Sequence, residues 1–448
     1  MSVAAELRAP DRARPPPSAG AVRAVYRVER RKLSAQPAIR LLALICVLAP
    51  FLFAAILKIQ TGSPTDTLYG VWVHASGFAL SLVVLSFAGS WGVPVVVGIV
   101  AGDLFSSEDR YGTWKLVLTR ACSRRDLFLG KLLAAGTFSL TLIALTAVAS
   151  LAAGIVLVGH QPLVSLSGTM MSSGRSLLLV LLAWLLTVPP ALALAALAVV
   201  LSVATRNGIV GVFGPGLAAL AMQLLLLVGA GVWAHLLLLG FAFTTWPALF
   251  TAHPFYGPLI AGVLVSVAWA AAAVAAAWAI VRRRDFAGAP VARRRGWRPA
   301  GRVALALTAV IVLFALAGGW GPAGVTADRL KGSLIPAFNN LTVLQQLALG
   351  RPVAPGARLN IVLPTCSRRG SAPRGPGDWV CTVNVIIPAQ GSLPPQPTAV
   401  TYDVSVQSNG CYKAQSPPAF IGQQTMRDAA GHSVINPLYT IYGCFNVL

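Results

Sequence analysis

The stretch VWVHASGFALSLVVLSFAGSWGVPVVVGIVA, residues 71–101, contains no Asp, Glu, Lys or Arg. A helix needs about 20 apolar residues to cross the hydrocarbon core of a bilayer, because each residue adds about 1.5 Å of rise. This stretch is longer than one crossing requires, so we expect it to tilt or to break near Gly92 and Pro94. It therefore predicts an integral membrane protein.

The rest of the chain has the same character. Of its 448 residues, 56% are hydrophobic and 11% are charged, against about 25% charged in soluble domains. The net charge of +22 comes from Lys and Arg in short runs between apolar stretches, which indicates membrane topology and excludes nucleic acid as the expected partner. The first forty residues lack the apolar core of a secretory signal, which predicts a cytosolic N-terminus.

Seven apolar segments are long enough to span a bilayer. They lie at residues 39–58, 71–101, 132–158, 176–204, 208–231, 257–281 and 303–321. Segment 232–256 is apolar but interrupted, and its runs are too short to cross, which favours a re-entrant excursion. Residues 1–20 are predicted to be a disordered tail. Residues 21–38 are predicted to be an amphipathic helix at the membrane interface, with an ordinary solvated basic helix as the alternative.

The distribution of Lys and Arg predicts the orientation of these spans. The N-terminal segment, residues 110–131, Arg206 and the linker 282–302 carry basic residues, whereas the loops 59–70, 159–174 and 232–256 carry none. Cytoplasmic loops are the basic ones. Seven spans then lead from a cytosolic N-terminus to a C-terminus outside, and we expect a multi-pass protein of the bacterial plasma membrane.

From residue 322 to residue 448 the composition is that of a soluble domain. Alternating hydrophobicity predicts strands at 379–387 and 399–406, and a short helix is predicted at 338–349. Four cysteines lie there, and an external compartment permits disulfides. Pairing in sequence order is the simplest of three possibilities, and a zinc site is the alternative, although no CxxC spacing is present. The four cysteines are Cys366, Cys381, Cys411 and Cys444.

The fold class predicted from these patterns is an all-α polytopic membrane domain with a C-terminal, extracytoplasmic, β-rich disulfide domain. Residues 127–284 contain no Asp or Glu, which argues against an ion-coupled transporter, because such proteins usually place titratable groups within the membrane. No GxxxxGK[ST] loop is present to hold nucleotide phosphates. We expect no enzymatic activity, catalytic residue, metal or cofactor on this chain, so any ATP chemistry must come from another chain.

The most informative segment is the loop of residues 102–131, which joins the second and third spans. It combines both charge signs, a segment compatible with a helix and a Gly-Thr break. Such a hairpin is able to enter a groove of a partner and to pass a rigid-body motion to the two spans. The alternative is a solvated loop with ordinary positive charge.

The details of this loop resemble the permease subunits of ABC-2 type transporters. The loop of that family carries a Glu, then Gly-Thr, a Leu-rich stretch, Pro-x-Ser-Arg and Gly-Lys. In this chain Ala121 replaces the usual proline, and the resemblance covers residues 21–281, six spans, so that the seventh span and the external domain are additions. The matching positions are Glu108, Gly112, Thr113, Leu116, Leu118, Arg120, Ser123, Arg124, Gly130 and Lys131.

The resemblance implies the permease subunit of an ABC exporter. It implies a second copy of this chain, or a homologous permease, as one partner and two cytosolic ABC ATPase subunits, which would hold ATP and Mg, as others. The uncharged spans favour a lipophilic or amphipathic substrate in contact with membrane lipids. The alternative is a membrane-anchored receptor or assembly factor that acts through its external domain. The implied coupling contact is Glu108, Arg110, Gly112 and Thr113, braced at the third span by Ser123, Arg124 and Lys131.

Overall fold

The computed structural model describes residues 19–60, 64–114, 123–227, 232–284, 324–351, 353, 360–387 and 396–448. Six helices in these ranges are long and apolar enough to cross a membrane. The predicted seventh span, most of the predicted tail and most of the basic linker lie outside the described residues. The core helices agree with the predicted six-span region in number and order.

The helices of the membrane region follow one another with short connections. An interface helix, Ala19–Ala35, precedes span 1, and a short loop helix, Ser106–Tyr111, follows span 2. The spans are Pro37–Ile59 (span 1), Gly77–Phe87 and Val93–Gly102 (span 2), Arg124–Leu157 (span 3), Ser173–Leu186 and Val188–Thr205 (span 4), Gly208–Leu227 (span 5) and Gly257–Arg283 (span 6).

Span 2, which is predicted to tilt or to break near Gly92 and Pro94, changes its helical form there. A π-helical turn, Ala88–Gly92, joins its two halves, and Pro94 lies in the first turn of the second half. A proline is tolerated there because the amide hydrogen it lacks would have no helical partner in a first turn. Span 4 is interrupted in a similar way, at Thr187, before Pro189 and Pro190. Both irregularities therefore coincide with prolines that begin a new helical segment.

The connection between spans 5 and 6 is built from short helices. It contains Val232–Leu236, Leu239–Ala242 and a 3₁₀ turn, Trp246–Phe250. None of them is long enough to cross a bilayer. The side chains of Phe241 and Phe250 are fully buried, so this connection is packed into the protein. Its predicted re-entrant character stays a prediction.

Spans 2 and 5 cross at glycines. A Cβ atom placed on Gly211 would lie 2.2 Å from the carbonyl oxygen of Gly102, and one on Gly98 would lie 2.3 Å from the carbonyl oxygen of Val212. No side chain tolerates such distances, so the two backbones touch only because these positions lack a Cβ atom. Elsewhere span 6 packs along the second half of span 4, and span 1 packs along span 3.

The C-terminal domain combines a sheet with one long helix, the domain helix Ala327–Ala348. Two short strands, Leu163–Val164 (β1) and Met170–Met171 (β2), belong to the membrane region. The domain itself contains an antiparallel sheet in the order β3-β4-β5-β6-β9 and a separate β7-β8 pair. The strands are Asn360–Arg368 (β3), Gly377–Ile387 (β4), Gln396–Val406 (β5), Cys411–Gln415 (β6), Thr425–Arg427 (β7), Ser433–Ile435 (β8) and Thr440–Cys444 (β9).

Both disulfides join directly opposed residues of neighbouring strands. Cys366 of β3 pairs with Cys381 of β4, and Cys411 of β6 pairs with Cys444 of β9. The pairing in sequence order is therefore the one in the structure. The observed domain helix begins eleven residues before the predicted one at residue 338, because Leu330 and Leu334 bury its first turns against the sheet.

The strand-rich domain packs on one end of the helix bundle. Asn340 donates to the carbonyl oxygen of Ser167 at 2.7 Å, Asn409 to that of Thr244 at 2.9 Å and Tyr442 to that of Thr65 at 2.8 Å. All three acceptors lie in connections predicted to be free of Lys and Arg. We call this end of the bundle the far end, and the end that carries the interface helix and the loop helix the basic end.

The crossing of spans 2 and 5 makes a testable prediction. We expect Gly211→Ala to lower the free energy of unfolding by about 1–3 kcal/mol, because the added methyl group overpacks two touching backbones. The matched control is Gly216→Ala in the same span, where a Cβ atom would meet nothing within 4 Å. Thermal unfolding of the purified proteins in detergent measures both, and equal midpoints for the two variants would contradict the crossing.

Candidate functional site

The interface helix lies against span 3 at a glycine. A Cβ atom on Gly130 would stand 2.5 Å from the Cγ1 atom of Val25 and 3.2 Å from the backbone nitrogen of Tyr26. Only the absence of a side chain at this position lets the interface helix approach so closely. The next residue, Lys131, therefore lies next to the interface helix.

Lys131 is the centre of a buried group of charges. Its side chain is 0% exposed, and its Nζ atom lies 3.1 Å from Glu29 Oε1 and 3.2 Å from Glu108 Oε1. It also donates a 2.9 Å hydrogen bond to the carbonyl oxygen of Leu104. An ammonium group buried this deeply is tolerated only when charges and acceptors surround it. Lys131 thus joins span 3, the interface helix and the end of span 2.

Lys32 completes this group from the interface helix. Its Nζ atom lies 2.7 Å from Glu108 Oε1 and 3.2 Å from Glu29 Oε1. Partial burial lowers the pKa of Lys32, but the hydrogen bond and charge of Glu108, together with Glu29, outweigh it and raise this pKa above its usual value. Two lysines and two glutamates therefore balance in charge. We call Glu29, Lys32, Glu108 and Lys131 the ion cluster.

The Gly-Thr pair ends the loop helix and caps its glutamate. Gly112 has φ +65° and its backbone N–H donates to the carbonyl oxygen of Glu108. A left-handed residue at a helix end favours glycine. The backbone N–H of Thr113 donates to the same carbonyl oxygen at 3.1 Å, and its hydroxyl group donates to Glu108 Oε2. The turn therefore holds the Glu108 carboxylate in the ion cluster.

A second set of contacts joins the loop helix to the end of span 6. Asp109 forms a largely buried ion pair with Arg284, and Trp114 donates from Nε1 to Asp109 Oδ1 at 2.8 Å. The guanidinium carbon of Arg284 also lies 5.6 Å from the centre of the Trp114 ring, a cation–π distance. Motion of the loop helix is thereby tied to span 6 as well as to span 3.

The start of span 3 is fixed by a capping box. The Ser123 hydroxyl accepts from the backbone N–H of Asp126 at 3.1 Å, and Asp126 Oδ2 accepts from the backbone N–H of Ser123 at 3.3 Å. Such reciprocal bonds satisfy two of the backbone donors at a helix start. Arg124 reaches the end of span 6, where it donates to the carbonyl oxygen of Arg282 at 2.9 Å. The Ser-Arg pair thus fixes the start of span 3 and joins it to the end of span 6.

The sequence comparison identifies the family of this region. Residues 26–214 match the family model described as ABC-2 family transporter protein. The match covers less than half of the chain and supports an ABC-2 type permease. The match runs from the interface helix through spans 1 to 4 into span 5, and it includes the whole ion cluster. It confirms the resemblance inferred from the loop and supports a transporter permease role. No curated protein matches the chain.

The residues that the family pattern selects differ in their exposure. Arg110 and Gly112 are exposed, and Arg110 forms an exposed ion pair of 2.7 Å with Asp103. Glu108 and Lys131 are buried in the ion cluster. Arg110 and Gly112 are therefore accessible to solvent, whereas Glu108 and Lys131 hold the loop helix against span 3. The predicted coupling role of the whole set stays a prediction, and residues 115–122 lie outside the described residues.

Sequence reasoning missed Glu29, Lys32 and Tyr111. Glu29 is the one acidic residue in the sequence of the interface helix, which is a signal that it meets a cation. Tyr111 is 72% exposed at the end of the loop helix, and the guanidinium group of Arg110 lies beside its ring. Within the described ranges, no cluster of three or more His, Cys, Asp or Glu residues is placed to hold a metal ion.

The ion cluster predicts a large effect of removing its central charge. We expect Lys131→Met to lower the free energy of unfolding by about 3–5 kcal/mol, because two glutamates then share one half-exposed lysine. Lys58→Met, at an exposed position near the end of span 1, is the matched control. The midpoints of thermal unfolding in detergent measure both, and an unchanged midpoint for Lys131→Met would refute the central role of this lysine.

Proposed function

We propose that this chain is the permease subunit of an ATP-driven exporter and that separate ATPase subunits move it through the loop helix. The ion cluster carries this proposal. It connects the loop helix, the interface helix and span 3 through four charged side chains, whose four Lys–Glu ion pairs measure 2.7–3.2 Å. Contacts of this kind transmit displacement between elements as one rigid body.

In the proposed mechanism, ATP closes two partner subunits and the exposed end of the loop helix follows them. Arg110 and Tyr111 are the exposed side chains of that end, with the Arg110 guanidinium 5.2 Å from the centre of the Tyr111 ring. Aromatic and arginine side chains are typical anchors of protein interfaces. The displacement then passes through the ion cluster to span 3 and through Asp109 and Arg284 to span 6. ATP and Mg belong to the partner chains.

A lipophilic or amphipathic substrate is the class we propose. A cavity of 470 Å³ lies between spans 1, 2 and 3, beside the π-helical turn of span 2. Its walls include Phe53, Phe87 and Trp91, and its few polar groups are those of Cys46 and Thr146. An apolar cavity at membrane depth suits an apolar ligand. A second copy of the chain would complete the pathway between the two permeases.

We further propose that the basic end faces the cytosol and that the strand-rich domain lies outside the cell. Arg284 contacts Asp109 at the basic end, whereas Val325 is buried in the core of the domain at the far end. These two residues flank the predicted seventh span, residues 303–321. Their positions at opposite ends of the bundle support one further crossing and hence a C-terminus outside.

This orientation predicts the labelling of introduced cysteines. In a chain with Cys122 replaced by Ser, we expect Ser371→Cys, exposed in the β3–β4 connection, to react with a membrane-impermeant maleimide on intact cells. Arg125→Cys, exposed at the start of span 3, should react only after lysis. Labelling of Arg125→Cys on intact cells, with Ser371→Cys protected, would reverse the proposed topology.

The coupling proposal predicts a partner and a residue that holds it. Tagged full-length protein, purified from its own cells, should recover a chain with a GxxxxGK[ST] loop, identified by mass spectrometry, together with ATP hydrolysis. We expect Tyr111→Ala to lower this recovery roughly tenfold, as the loss of an aromatic anchor does. Glu108→Gln should lower ATP hydrolysis of the recovered complex, because it loosens the connection to span 3.

The control for this experiment is Arg125→Gln, which removes an exposed charge from the same end of the bundle. It should leave recovery and hydrolysis unchanged. If no ATP-binding chain is recovered, or if Tyr111→Ala and Arg125→Gln recover equal amounts of it, the loop helix is not the docking element and the exporter proposal should be abandoned.

A further inference from the structure

A groove with three arginines lies on the outer side of the interface helix. It has a volume of about 470 Å³. Leu133 of span 3 forms one wall, and the interface helix supplies the rest. We call it the arginine groove, and the residues that line it are Val22, Arg23, Tyr26, Arg27, Arg30 and Leu133.

The charge of this groove is not neutralised within the described part of the chain. Arg23, Arg27 and Arg30 are spaced by four and three residues, so they share one face of the helix, and all three are exposed. None of them forms an ion pair with a carboxylate in the described ranges. Glu29, the acid nearest in sequence, is buried in the ion cluster. The groove therefore presents three positive charges that suit an anionic ligand.

The apolar wall indicates what kind of anion fits. Leu133 is 51% exposed and lies on the same side of span 3 as Ala144 and Val148, which are also exposed. This stripe faces away from Lys131, since residues 131 and 133 point about 200° apart on a helix. The groove thus opens onto this exposed stripe of span 3, on the side away from Lys131.

We propose that the arginine groove binds the phosphate-bearing headgroup of an anionic membrane lipid, with its acyl chains along the exposed stripe of span 3. Three guanidinium groups supply paired donors for phosphate oxygens, and basic pockets beside spans favour such headgroups. The proposal does not depend on the transport activity, because it concerns the anchoring of the interface helix. A bound lipid would hold that helix, and with it Glu29 and Lys32, at a constant depth.

The test measures binding of phosphatidylglycerol to the purified full-length protein in neutral detergent, by native mass spectrometry, with phosphatidylcholine as the uncharged comparison. Each arginine near a lipid headgroup contributes roughly fivefold to affinity. We expect the triple variant Arg23→Gln, Arg27→Gln, Arg30→Gln to bind phosphatidylglycerol at least about tenfold more weakly and to bind phosphatidylcholine as before.

The matched control removes the same charge from exposed positions at the same end of the bundle, by Arg125→Gln, Arg282→Gln and Arg283→Gln. It should retain phosphatidylglycerol binding. Leu133→Asn should weaken binding of phosphatidylglycerol but not binding of inorganic phosphate. This difference distinguishes a lipid ligand from a free anion.

Three outcomes would overturn the proposal. The first is an equal loss of phosphatidylglycerol in the control variant, which would assign the effect to net charge. The second is displacement of the lipid by millimolar inorganic phosphate, which would make the groove a site for a soluble anion. The third is unchanged lipid binding in the triple variant together with loss of a copurifying ATPase, which would make the groove a protein contact.

Discussion

The buried ammonium group of Lys131 is the contact on which the basic end of this protein depends. An uncompensated charge there would be costly in an apolar surrounding, so its two glutamates and the carbonyl oxygen of Leu104 must be held in place together. Those groups come from the interface helix, the loop helix and the end of span 2. Because these three elements together satisfy one cation of span 3, none of them moves far without the others.

Glycines determine how closely these elements approach. Gly130 lets the interface helix touch span 3, and Gly102 with Gly211 lets span 2 touch span 5. Backbone contact leaves little room for sliding, since protein interiors are close-packed and respond to force by discrete shifts. The loop helix lies between these two contacts, one in span 3 and one in span 2. We therefore expect a displacement of the loop helix to be transmitted to several spans, with little side-chain rearrangement.

The membrane-spanning helices were predictable because a run of about 20 apolar residues can be recognised in the sequence alone. Spans 1, 4 and 6 lie within three residues of the expected bounds, whereas span 2 begins six residues later and span 3 eight residues earlier than expected. The Gly-Thr and Ser-Arg pairs marked a helix end and a helix start. The partners of the charged residues in the ion cluster were not predictable. Glu29 and Glu108 are 79 positions apart in sequence, and only the tertiary approach at Gly130 brings both to Lys131.

The early start of the domain helix was not predictable because Pro336 is a residue that usually breaks a helix. It is tolerated here because Leu334 and Phe338 pack on the sheet.

The far end shows a different kind of connection. There the strand-rich domain is held by hydrogen bonds from its side chains to backbone oxygens of the membrane region, and Lys413 forms an exposed 3.0 Å ion pair with Asp66. Exposed pairs contribute little, whereas the Cys411–Cys444 disulfide joins β6 to β9, the strands that carry Lys413 and Tyr442. Restricting those two strands relative to each other keeps both contacts in register with the Thr65–Asp66 turn. The two ends are therefore held by different interactions: buried ion pairs at the basic end, and a disulfide-linked pair of strands at the far end.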